Sequence, residues 1–463
     1  MPEQPDDKEL LALVEAFEKA LNSPDSAYFD EEQLEDIIEF YMGRNNLKRA
    51  DIAVKRAEDA FPFSTTFLIK KASLRLMEGK LIMARQHIEK AESLEPLNPD
   101  VMLLKAELAS QNDQYEDAEQ WFEKALQYAE DVNDIYFGMA VIYLNAMRFE
   151  KAANAFEKIL ETEPENIHAL YELALCYHES GRYNDAVRVF NKYIDIEPYS
   201  SFAWYNLGSS FASKGSPQKA IEAFDYATII DDGFSSAWYN KGNAQYETGQ
   251  YELAIESYKK VIELEGDDAT TYCNLGNCYH ALNLFGLAMG YFKKALKLNP
   301  NSSDGIFGLA LIAHERQNYD EAEVLLQKAI KQDPHNSEYH GAYGDLLFEK
   351  GLPLDAVKEY KAAIDLDPDD VDAWTYMSNC YKETAMMEEA CETLMNGIKT
   401  IPDEYSFYFM LAANYLESDQ TRTQGMEWLQ RAIKQSKDKE GLFKINPDLR
   451  DDEQIVAFIK GLK

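Results

Sequence analysis

The residues best suited to chemistry in this 463-residue chain are a few histidines, cysteines, asparagines and carboxylates that recur at fixed intervals. His178, His280 and His314 are the candidate metal ligands, and the last two are 34 residues apart. A structural zinc needs four ligands and a catalytic one three. No third ligand is evident beside these imidazoles, so they are read as titratable surface groups, with no metal and no cofactor. Cys176, Cys278 and Cys380 are separated by 102 residues each, and Cys273 and Cys278 lack the spacing of a zinc knuckle. The cysteines are read as core residues in a reducing compartment. There is no Gly-rich phosphate loop and no G-x-S-x-G elbow. No catalytic residue is assigned, and a non-enzymatic protein is expected.

Recognition chemistry is better supplied. Tyr171, Tyr205 and Tyr239 form one row at 34-residue steps, and Asn206, Asn240 and Asn274 form the next. Asn243, Asn277 and Asn379 fall on the same 34-residue grid. A carboxamide both donates and accepts, so a row of them can hold an extended backbone without demanding particular side chains. Tyrosines add flat contact area at low entropic cost. Further along, Asp304, Glu315, Glu338, Asp345, Glu349, Asp372 and Glu383 make an acidic set with Lys382 as its one cation. Such a set favours a basic or neutral ligand.

Rows at one interval need an element repeated at that interval. Pro62, Pro96, Pro164, Pro198, Pro300, Pro334, Pro368 and Pro402 are separated by multiples of 34, and Ala50 through Ala390 gives eleven alanines in the same register. With the proline as position 32, twelve repeats start at residue 31 and cover about 31–438. Positions 4, 8 and 11 share one face of a first helix, and positions 20, 24 and 27 one face of a second. Small residues at 8 and 20 allow close approach, as with Gly208 and Ala220, and bulky ones such as Phe224 at 24 fill the space. Glycines at position 15 (Gly79, Gly181, Gly215, Gly249, Gly351) end the first helix in a left-handed conformation. Proline ends the second.

The stretches 204–232 (WYNLGSSFASKGSPQKAIEAFDYATIIDD) and 238–267 resemble the tetratricopeptide repeat, and the resemblance covers about nine-tenths of the chain. It implies an all-α, right-handed superhelical solenoid of stacked antiparallel helix pairs, with a concave groove lined by positions 2, 5, 6, 9, 12 and 13 of the first helices. The Tyr and Asn rows, with His280, fall on those positions, and so does the acidic set. The asparagine rows are similar to those in the repeat domain of O-linked sugar transferases. The Lys and Arg clamps of chaperone-linked family members are missing. Repeats 1 and 2 fit less well, and repeat 12 holds one extra residue before Gly425. Residues 1–30 and 439–463 are read as capping regions. The first carries a helix at 6–22, stopped near Pro24, with Leu10, Leu13, Val14, Phe17 and Leu21 on one face. The second carries a helix at 451–463 with Ile455, Phe458, Ile459 and Leu462.

Composition bounds the partners. With 46 basic and 82 acidic residues the formal charge is −36, which argues against nucleic acid and against an anionic membrane surface. No apolar run reaches the ~18 residues that span a bilayer. The first ten residues lack a signal-peptide layout, so a cytoplasmic location is expected. Residues 405–463 hold nine acidic and nine basic residues, leaving the whole net charge in 1–404. A protein-binding scaffold or adaptor is the leading expectation, holding a neutral to basic peptide or partner protein. A client-holding co-chaperone and a regulatory subunit of a separate enzyme are the alternatives. Oligomeric state is not legible.

Overall fold

Short polar side chains start the first helix of most repeats, and a left-handed residue starts the turn into the second. Asn98, Asn166, Ser200, Asp268, Ser302, Asn336 and Asp370 each stand just before a first helix and accept a hydrogen bond from a backbone amide of its first turn. The computed structural model describes residues 5–21 and 28–461. Among these, 27 α-helices and one short 3₁₀ helix form, and there is no strand. From Glu31–Gly43 paired with Leu47–Ala60 to Tyr405–Leu416 paired with Arg422–Ser436, the helices follow one another as hairpins. No helix among the described residues is long and apolar enough to cross a membrane.

Position 15 is left-handed in every turn of the first eleven hairpins, and six of those residues are not glycine. Asn45, Asp113, Met147, Asn283, Gln317 and Ala385 take φ between 53 and 61°, alongside the five expected glycines. In each turn the next backbone N–H reaches five residues back, as Arg182 does to Tyr177 at 2.8 Å and Met386 to Tyr381 at 2.8 Å. This is a Schellman closure, which satisfies carbonyls that the helix end would orphan.

The small-to-large match across each hairpin is steric. A Cβ added at Gly208, Gly242, Gly276 or Gly344 would come within 2.5–2.8 Å of the position-24 ring of Phe224, Tyr258, Phe292 or Tyr360. The eleven grid alanines are at most 2% exposed, so any larger side chain there would force the helices apart.

The chain divides into two compact units, one ending at Asp232 and one beginning at Gly233. In the N-terminal unit the helix Pro5–Leu21 buries Val14, Phe17 and Ala20 against Phe29, Ile37 and Tyr41 of the first hairpin region. In the C-terminal unit the short helix Gly441–Ile445 and the helix Glu453–Gly461 bury Leu442, Ile455 and Ile459 with Tyr408, Phe409 and Leu429. Pro24 and Leu462, parts of the expected capping segments, lie outside the described residues.

Candidate functional site

Within each compact unit the first helices of successive repeats lie side by side, so equal positions line up in rows. In the N-terminal unit Asn206 Nδ2 donates to Tyr171 Oη at 2.9 Å. In the C-terminal unit Asn274 Nδ2 donates to Tyr239 Oη at 3.1 Å. Each bond joins position 6 of one repeat to position 5 of the one before. The tyrosines are half-buried because their rings pack on the position-24 aromatics. Tyr171 meets Phe190 edge-on at 6.2 Å, Tyr205 tilts on Phe224 at 5.8 Å, and Tyr239 meets Tyr258 edge-on at 5.9 Å. Burial raises the Tyr171 hydroxyl pKa, and the Asn206 bond partly offsets it.

The rows therefore have two jobs. Asn206 and Asn274 spend one donor on cross-linking repeats and keep their remaining capacity. Asn243 is exposed and accepts from Tyr258 Oη at 2.7 Å. Asn240 is half-buried. Asn277 and Asn379 are half-buried, and their amides make no hydrogen bond among the described residues. The position-6 row stops at residue 308 for a steric reason: Gly308 stands there, and Phe292 Cζ would lie 2.2 Å from an added Cβ.

The histidines have separate environments. His178 Nδ1 lies 3.0 Å from Ser210 Oγ, and His314 Nε2 lies 2.9 Å from Glu349 Oε2. His280 Nε2 is buried without a partner, and burial lowers its pKa while Glu315 opposes the shift. All five cysteines are free and buried. Burial pushes the Cys176 and Cys278 thiols up to about 12 and Cys380 up to about 11, so they are poor nucleophiles.

Part of the acidic set is gathered. Glu349 and Asp372 both raise the pKa of Asp345, behind the larger effect of burial. Asp345 also accepts from Tyr360 Oη at 2.7 Å, and His314 lowers its pKa. Asp304 accepts from Tyr339 Oη at 2.6 Å. Glu338 keeps solvent access, yet surrounding protein pushes its pKa up, and Asp304 adds to the shift. Glu383 acts on the buried Cys380 thiol, and Lys382 is paired with Glu417.

The same positions in repeats 1–4 line a cavity of about 550 Å³ that the sequence reading passed over. Ile69, Leu103 and Val141 make its apolar part, and Glu35, Glu39, Asp100 and Glu107 its acidic part. Lys70 bridges to Glu35 at 2.9 Å and also pairs with Glu39. Burial pushes Glu107 up to about 7, partly offset by a hydrogen bond from Gln111. These residues occupy positions 2, 5, 6 and 9, so the sequence carried the signal, although repeats 1 and 2 fit the period less well.

Family models match several stretches of the chain. A model described as TPR repeat matches residues 242–283, and models described as tetratricopeptide repeat match 69–132, 284–346 and 337–370. The model for anaphase-promoting complex, cyclosome, subunit 3 matches 111–193 and 145–228. No curated protein matches the chain. Among solved structures the chain is similar to the MamA protein at 30% identity, over 36% of this chain and 90% of that one, with a TM-score of 0.35. It is similar to the APC/C hetero-tetramer Cut9–Hcn1 at 15% identity, over 87% and 93%, with a TM-score of 0.44. For yeast Tom70 the identity is 16%, over 92% and 98%, with a TM-score of 0.44.

Proposed function

The chain belongs to the tetratricopeptide repeat family, and on that premise we propose that it is a non-enzymatic interaction scaffold or adaptor that holds an extended segment of a partner protein on its first-helix surface. The observation that carries this reading is the open amide capacity of half-buried Asn277 and Asn379, the first on the same helix as Asn274, which bonds Tyr239. An extended peptide presents a backbone donor and acceptor at each residue, and amides can meet both. The partner segment is neutral to basic. The gathered carboxylates of Asp345, Glu349 and Asp372 support that preference. The free, buried thiols support a reducing, cytoplasmic setting.

The test separates ligand contact from repeat cross-linking. Replacing Asn240, Asn274 and Asn277 together by Ala should cut capture of partner proteins at least tenfold. Tyr239→Phe, which removes only the hydroxyl that accepts from Asn274, should leave capture near wild type. Full capture by the triple variant would overturn the reading. The basic preference has its own measurement. Titrating a lysine-rich peptide at 50 and 150 mM salt should show a steep loss of affinity, because exposed charges are screened over about a Debye length. Affinity that ignores salt would reject the acidic surface as the binding element.

A further inference from the structure

The twelfth hairpin breaks the rule that the other eleven keep. Its slot for the left-handed residue is Asp419, which has no positive φ, and five residues separate the two helices where the other hairpins have three or four. Thr421 Oγ1 instead donates to the Tyr415 carbonyl at 2.7 Å. Beside this turn lies a cavity of about 810 Å³, bounded by the helix Met387–Thr400 and the end of the helix Tyr405–Leu416.

One wall is apolar. Met387, Cys391 and Met395 recur at four-residue steps and so share a helix face, and Tyr415, hydrogen-bonded to Cys391, lines the cavity beside them. Methionine side chains are flexible and polarizable, which suits them to packing on varied apolar groups. The cavity also presents a polar group. Asn414 lines it and is 6% exposed, yet its side-chain amide makes no hydrogen bond among the described residues. That amide can both donate and accept, so a peptide backbone beside it would find a partner there.

The rim adds charge. Glu388 and Glu392 lie four residues apart, a like-charged pair that destabilises a helix unless a cation sits between them. Neither makes an ion pair among the described residues. The neighbouring cation Lys399 is hydrogen-bonded to Asn396 at 3.0 Å, and Glu417 is paired with Lys382.

We propose that this cavity is a second docking site, one that takes an apolar side chain of a partner polypeptide flanked by Lys or Arg. The apolar side chain packs on the Met387–Met395 wall. The backbone beside it pairs with the Asn414 amide. The flanking cation sits between Glu388 and Glu392. The site is built mainly on a second helix, so it stands apart from the first-helix surface and does not depend on that reading.

The probe is a random 12-residue peptide library selected on the full chain. The expected result is a class of peptides with an apolar residue next to Lys or Arg. Their affinity should fall at least tenfold with Asn414→Leu and with Glu388→Gln/Glu392→Gln. Adding such a peptide should shift the ¹³C-methyl signals of Met387 and Met395. Thermal melts show whether Asn414→Leu keeps the fold. If that variant fails to fold, the exposed double glutamine variant carries the test. The proposal is overturned if no selected peptide depends on these residues, or if the dependent peptides are acidic. It is also overturned if the same variants abolish self-association of the chain, which would make a second copy the occupant.

Discussion

Glu107 shows what the protein interior does to a single carboxylate. Its pKa is pushed up to about 7 by burial, against ~4.3 for a free glutamate. A folded pKa above the unfolded one means that the native state binds the proton more tightly. The associated stability is full below the unfolded value and is lost as pH rises through about 7. Glu107→Gln removes the penalty of the ionised form. The variant should therefore be more stable than wild type near pH 8 by about 1–2 kcal/mol, and the gap should narrow towards pH 5. Urea unfolding at the two pH values measures it, and a gap independent of pH would contradict the assignment. The amide rows were legible at this scale because identity and spacing are written in the sequence. What each amide bonds was not. A 35-residue separation between Asn206 and Tyr171 does not reveal that the amide reaches back to the neighbouring repeat rather than outward.

At the scale of elements, the hairpin turn sets the geometry of each repeat. A left-handed residue other than glycine costs roughly 1–2 kcal/mol, less for asparagine and aspartate. Ala385→Gly, at φ 61°, should therefore stabilise the fold by about 0.5–1 kcal/mol after the entropy that glycine loses on folding. Thermal melts check this, and a destabilised variant would show that the turn does not impose the strain. The opposite change on the helix face should do harm. Gly276→Ala would place a Cβ 2.5 Å from the Phe292 ring and should cost about 1–3 kcal/mol, read by the same melts. Helix pairing and the small-to-large match could be read from the sequence. The turn conformation was visible only where glycine announced it, because a side chain such as Met147 or Gln317 carries no sign of the φ its neighbours force on it.

At the scale of the whole molecule, an array that grows by addition leaves apolar surface at its ends, and terminal segments must cover it. Removing residues 441–461 would uncover Tyr408, Phe409 and Leu429, which pack against Leu442 and Ile455. The truncated chain should self-associate, and light scattering at increasing concentration checks that, a persistent monomer counting against it. The repeat count followed from the period, but the division at Asp232 and Gly233 did not, since the alanine register runs through it from Ala220 to Ala254 unchanged. Register alone reports what each repeat is made of and nothing about where the chain groups its repeats. The uniform turns bear on how such a chain can lengthen during evolution. Any block cut from one left-handed turn residue to the next, between residues 45 and 385, begins and ends at turns of one handedness. A gene duplication of such a block would insert a module whose junctions already match. The turn at 417–421 lacks that conformation, so a copy that spans it would carry a mismatched joint into the interior. Growth is thus open along the interior and closed at the twelfth hairpin.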